Sequence, residues 1–243
     1  MKELAKPEEN GQGLGQHLLS PMQRRSFFRY AGATAAAATI LLTTSCDDDD
    51  DDVNPPMNGE VDLGSGDTGV LNYAYALEQL EAAFYTEVVA KSGSALSAAE
   101  MQVMMDLKAH EVAHREFFKA ALGKNAIPGL EVDFSAVNFT NKNSVLETAR
   151  TFEDLGVAAY NGAGKLFTDT GDGLTYLLLA GKIVSVEARH AAAIHDLISN
   201  NDREYGEAVI DAQGLDRAMS PTEVLTAAAP FIKTKINFSN LPK

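Results

Sequence analysis

The sequence predicts an all-α protein: an antiparallel four-helix bundle with a long crossover between its second and third helices and a short helical appendage at the C-terminal end. Three observations carry this. From residue 68 onward, apolar residues recur at spacings of three and four, alanine is abundant, and long alternating strand-like runs are absent. Four segments, 68–91, 97–122, 144–168 and 172–200, are bracketed by helix start and stop signals. The links between the first and second and between the third and fourth segments are short, so each pair reads as a helical hairpin. The link 123–143 is long enough to run the length of a bundle.

The elements follow in chain order. Residues 1–46 read as an N-terminal extension and export signal. Arg24-Arg25 is followed by Ser-Phe-Phe and by an apolar stretch, 31–42, too short to cross a bilayer comfortably. Small residues and then Cys46 end it. This pattern resembles a Tat-type signal joined to a bacterial lipobox, although Thr43 stands where a lipobox usually has leucine. The resemblance implies lipid attachment at Cys46 and a membrane-anchored lipoprotein of the bacterial cell envelope. A plain secretory signal with Cys46 incidental is the competing reading, and Met22 is a second candidate start. Residues 47–67 begin with six aspartates and continue through prolines and glycines, which reads as a solvated, disordered tether with nothing to bury.

Within the bundle, Ser97-x-x-Glu100 and Ser144-x-x-Glu147 read as capping boxes, in which the serine and the glutamate each satisfy an orphan backbone N–H. Gly123 and Pro128-Gly129 end the second helix. The stretch 130–139 can hold a short extended piece. In the appendage, 201–243, Ser220-Pro221-Thr222-Glu223 caps a short helix with proline at its first position, where the missing N–H costs nothing.

Composition narrows the function. The chain has 243 residues and a formal net charge of −14, with no basic stripe, so a nucleic-acid partner is excluded. A single cysteine rules out an internal disulfide.

The chemistry lies on the helix faces. With Glu111 as origin and about 100° per residue, His114 falls near −60° and Leu107, Met104, Phe118 and Leu122 lie within about 40°. Glu111 and His114 therefore share the buried stripe, and His110 lies at its edge, near −100°. The fourth segment repeats this, with Glu187 and His190 among Tyr176, Ile183, Ile194 and Ile198, and with His195 at the edge. On the first segment Glu78 lies among Leu71, Ala74, Tyr85 and Val89, with Glu81 also inward and Gln79 and Glu87 pointing away. On the third, Glu153 lies among Leu146, Ala149, Tyr160 and Phe167.

An internal repeat organises these residues. Tyr85 follows Glu78 by seven residues and Tyr160 follows Glu153 by seven. Glu78 to Glu111 is 33 residues and Glu153 to Glu187 is 34. Two hairpins carry the same residue types in the same order. Buried carboxylates without partners are expensive, and no lysine or arginine sits at the centre of these faces. Cations from outside would supply the missing charge. Four carboxylates and two imidazoles suit two iron ions, with manganese or a mixed pair also compatible.

His110-Glu111-x-x-His114 also matches a zinc-protease pattern, with two histidines as ligands and Glu111 as base. That reading leaves Glu78, Glu153, Glu187 and His190 unexplained on buried faces.

One glutamate from each of two helices plus Glu-x-x-His from each of the other two resembles the ligand set of di-iron carboxylate bundles. The segments "LNYAYALEQLEAAFY", "HEVAHREFF", "FEDLGVAAYNGAG" and "VEARHAAAI" are similar to the ferritin-like domain family that also includes plant desiccation-related proteins. The resemblance covers about residues 70–199. It implies a di-metal centre held by Glu78, Glu111, His114, Glu153, Glu187 and His190. Glu81, Tyr85, Tyr160 and His110 are then supporting or alternative groups. In ferritins and rubrerythrins a tyrosine follows the first-helix glutamate by seven residues, which favours Glu78 over Glu81 as ligand. The resemblance leaves two function classes: a ferroxidase or peroxidase-like oxidoreductase using dioxygen or peroxide, and a non-catalytic envelope or stress-protection protein on the same scaffold. A homodimer is compatible with either, and the membrane is a partner through the lipid anchor only.

Overall fold

The computed structural model describes residues 59–199 and 210–243. The export signal, Cys46, the aspartate run and residues 200–209 lie outside the described residues. Four long helices form the body: α1 (Gly66–Lys91), α2 (Ala98–Leu122), α3 (Lys142–Ala163) and α4 (Asp172–Ser199). A fifth, α5 (Pro221–Ala228), and two short strands, β1 (Glu60–Asp62) and β2 (Lys235–Asn237), complete it. The all-α expectation holds, with hairpins α1–α2 and α3–α4 joined by the crossover 123–141. Among the described residues no helix is long and apolar enough to cross a membrane.

The local signals explain most boundaries. Ser97 and Ser220 form the expected capping boxes with Glu100 and Glu223. Gly123 caps the end of α2. The start of α3 differs from expectation. Its cap is Asn141, whose side chain accepts a hydrogen bond from the Ser144 backbone N–H. Ser144 Oγ instead accepts from the backbone N–H of Asn138. Asparagine caps at least as well as serine, so the earlier residue wins and Ser144 serves the preceding turn. The helix also stops at Ala163 and tightens into a 3-10 turn, Gly164–Leu166, short of residue 168.

Two expectations about the flanks need correction. The tether does not extend to residue 67. Val61 and Leu63 are buried, and β1 pairs in parallel with β2, Val61 against Ile236. The alternating Val61 and Leu63 give that segment an apolar side to bury after all. The C-terminal appendage is likewise not purely helical, since β2 returns to this strand. An isolated antiparallel bridge joins Val132 of the crossover to Ile232, the short extended piece anticipated there.

α1 is buried on nearly every side. Its inner face meets the other three helices and its outer face lies under the crossover. Gln79 points away from the bundle axis but not into solvent: it donates to the Pro128 carbonyl and accepts from the Leu130 N–H. One turn-pair earlier, Asn72 donates to the carbonyls of Leu63 and Asn125 and accepts from the Ile127 N–H. Also on α1, Phe84 packs edge-on to Phe152 and Phe134, with ring centroids 5.0 and 5.7 Å apart, and Phe152 meets Phe231 of the C-terminal segment at 4.8 Å. The strap before α5 crosses α3 at Gly162, where a Cβ would fall 1.8 Å from the Met219 carbonyl oxygen. Met219 N–H donates to the Ala158 carbonyl there.

Candidate metal centre

The four helices bring Glu78 (α1), Glu111 and His114 (α2), Glu153 (α3), and Glu187 and His190 (α4) to the middle of the bundle. All four glutamates are 0% exposed and His190 is 4% exposed. Their polar atoms form two overlapping groups able to hold a metal ion: Glu78, Glu111, His114 and Glu187, and Glu111, Glu153, Glu187 and His190. Within each group one ligand atom per residue lies within 4.8 Å of the others. Glu111 and Glu187 belong to both.

The imidazoles sit among carboxylates. His114 Nδ1 is 2.9 Å from Glu187 Oε1, 3.4 Å from Glu111 Oε2 and 3.5 Å from Glu78 Oε2. His190 Nδ1 is 2.7 Å from Glu111 Oε1, 3.2 Å from Glu187 Oε2 and 3.5 Å from Glu153 Oε2. Proximity is not hydrogen bonding here. Only the His190–Glu187 contact has bonding geometry. His114 Nδ1, both Glu111 oxygens, Glu78 Oε2, Glu153 Oε2 and Glu187 Oε1 are buried without a hydrogen-bond partner among the described residues. Buried polar atoms in folded proteins are normally satisfied. A cluster of orphaned oxygens and nitrogens converging from four helices fits divalent metal ions of the iron and manganese type.

Electrostatics point the same way. Burial pushes the Glu78 carboxyl well above the usual carboxylate range, and Glu187 and Glu111 add to this against the opposing pull of His114. Burial raises Glu153 to about 8 despite His190. Burial also works upward on Glu111, but the adjacent His114 and His190 outweigh it and bring it down to about 2. For His114 and His190 burial opposes the proton, yet the surrounding carboxylates push each up to about 12. Protons on these groups offset part of the charge that six clustered ligands would otherwise carry.

The two tyrosines of the repeat cross-link the hairpins reciprocally. Tyr85 on α1 donates to Glu153 Oε1 on α3 at 2.5 Å, and Tyr160 on α3 donates to Glu78 Oε1 on α1. Burial and the adjoining carboxylate raise both phenols well above their ordinary range. Each terminal carboxyl thus has one oxygen fixed by a tyrosine and its other oxygen unpartnered.

The remaining candidates divide. His110 is exposed and lies outside both groups; its Nδ1 is 2.9 Å from His190 Nε2, with the rings stacked 5.1 Å apart at 9°. The zinc-protease arrangement, with His110 and His114 converging on one ion, is not what these rings form. His195 Nε2 meets Asp154 at 2.8 Å instead of the centre. Glu81 is buried, and burial together with Glu111, Glu187, Glu153 and Glu78 pushes its carboxyl well above the usual range. Sequence reasoning missed what seats it. A Cβ at Gly156 would come within 3.0 Å of Glu81 Oε1. The repeat held the signal: three residues after Glu78 comes Glu81, and three after Glu153 comes Gly156. One hairpin supplies the carboxylate and the other the space.

A helical bundle whose core carries paired Glu-x-x-His motifs and further glutamates has, by class, the donor set of a carboxylate metal-binding scaffold. The family comparison agrees, with the ferritin-like domain model matching residues 66–200. The chain belongs to the ferritin-like domain family. No curated protein gives a significant match.

Proposed function

We propose that this protein holds two iron ions and uses them for redox chemistry on the outer side of a bacterial membrane. Glu78 and His114 would hold one ion and Glu153 and His190 the other, with Glu111 and Glu187 within reach of both. The sharing of two carboxylates between two four-residue groups is the observation that carries this reading. Bound iron supplies one-electron chemistry, suited to oxidising ferrous iron or reducing dioxygen or peroxide.

The chain's own residues prepare the site. Tyr85 and Tyr160 fix one oxygen of Glu153 and of Glu78, so each carboxyl presents its free oxygen inward. Glu78, Glu111, Glu153 and Glu187 are fully buried, on helices that also bury Phe118, Met104, Ile183 and Ile194, so bulk water is kept from the carboxylates. His114 and His190 hold protons that leave as cations enter. The N-terminal pattern supports export and anchoring through Cys46, outside the described residues.

The test is direct. Purified protein is loaded anaerobically with ferrous iron, exposed to air and followed by near-ultraviolet ferric absorbance, with bound iron counted by elemental analysis. Two irons per chain and oxidation much faster than in buffer are expected. Glu111→Ala and Glu187→Ala should each lose both ions. Iron oxidation no faster than in buffer would leave the scaffold reading, and no bound iron would remove the metal centre.

A further inference from the structure

The repeat makes the two halves of the centre nearly equivalent, but one residue breaks the equivalence. His110 precedes Glu111 on α2; the matching position before Glu187 on α4 is Val186. His110 Nδ1 lies 2.9 Å from His190 Nε2, with the two rings stacked. His190 is therefore held at both nitrogens, Nδ1 toward the carboxylates and Nε2 by His110. Among the described residues His114 has no corresponding bond: its contacts run through Nδ1 to Glu78, Glu111 and Glu187. Its side chain is also 14% exposed, against 4% for His190.

We infer that His110 is a positioning residue that makes the two metal positions unequal, so the Glu153/His190 position fills first and more tightly than the Glu78/His114 position. This rests on the di-metal reading and deepens it. The physical reason is pre-organisation. A ligating histidine coordinates well when its second ring nitrogen is held, because the ring orientation is then fixed before the ion arrives and the nitrogen that gives up its proton is the one facing the ion. With the Nε2 proton of His190 donated to His110 Nδ1, Nδ1 of His190 is left as the nitrogen facing the carboxylates. His114 must be ordered during binding, and the loss of its rotational freedom weakens its position. His110 is exposed, so its replacement disturbs little packing and the inference is open to mutation.

The experiment titrates ion-free protein with cobalt(II) under nitrogen, reading visible absorbance and heat together. Wild type should take up two ions in two resolved steps. His110→Ala should weaken the first step about 10–100-fold and leave the second unchanged, merging them. His110→Phe keeps a ring to stack but no acceptor and should behave like the alanine variant. His110→Asn places an amide oxygen where Nδ1 was and should restore the two steps. Nitrogen-15 spectra of histidine-labelled, metal-free protein should show a protected His190 Nε2–H in wild type and His110→Asn only. Two equal steps in wild type, or equal weakening of both steps in His110→Ala, would overturn the inference while leaving the di-metal centre standing. Rescue by phenylalanine instead of asparagine would also overturn it. Failure of wild type to bind two ions would sink both.

Discussion

Glu111 and Glu153 approach the same imidazole nitrogen, at 2.7 and 3.5 Å, yet one carboxyl sits at about 2 and the other at about 8. The difference lies in company. Glu111 faces both histidines, and Glu153 faces one, so burial wins at Glu153 and loses at Glu111. This residue-scale contrast sets a pH dependence. At pH 6–7.5 the ion-free site carries protons on Glu153, which titrates near 8, and on His114 and His190, which titrate near 12. Metal ligands must be deprotonated, so binding releases these protons and affinity must rise with pH. Each displaced proton contributes about tenfold per pH unit below its pKa. The Glu153 contribution fades above about pH 8, where its proton has already gone, and the histidine contribution persists. Competition against a coloured chelator at pH 6, 7 and 8 should show steadily tightening manganese binding with proton release into weak buffer. A flat profile would mean that the protons assigned to these groups are not there.

At the scale of elements, α1 shows what was legible and what was not. Its inward residues were readable because helical periodicity is local: Glu78, Glu81 and Tyr85 lie where 100° per residue puts them. What covers its outer face was not. The crossover docks there through side-chain amides bonding to backbone groups, and such bonds follow no periodic pattern. Asn72 and Gln79, two amides seven residues apart, are the only trace in the sequence. The cap of α3 escaped for a related reason, since Asn141 and Ser144 were both competent and only the turn at Asn138 decided between them. The three-residue β1 is too short to announce itself. The Asn72 clasp makes a prediction. Asn72→Leu leaves the Ile127 N–H and the carbonyls of Leu63 and Asn125 without their partner, at a cost of roughly 3 kcal/mol. Urea unfolding should show a lowered midpoint with little change in slope, and metal stoichiometry should stay at the wild-type value. An unchanged midpoint would show that the crossover is held by its apolar contacts alone.

For the whole molecule, the pairing of β1 with β2 makes Glu60–Asp62 part of the folded body. Between Cys46 and that strand lie 13 residues, 47–59, not the 21 of 47–67. Such a span reaches at most about 45 Å when fully extended, so an anchored copy would work close to its membrane. If the N-terminal reading is right, cells fed a palmitate analogue should label the wild-type protein and not Cys46→Ala. Equal labelling of both would remove the anchor. The reciprocal hydroxyl bonds between the hairpins have a wider meaning. Each of the two candidate metal groups draws on both halves of the chain, and each half also steadies a carboxylate belonging to the other. Neither half is a working module. A single hairpin could serve only by meeting its own twin, so the present chain has the logic of a symmetric pair fused into one polypeptide. The two halves differ at two matched places: one carries His110 and Glu81 where the other has Val186 and Gly156.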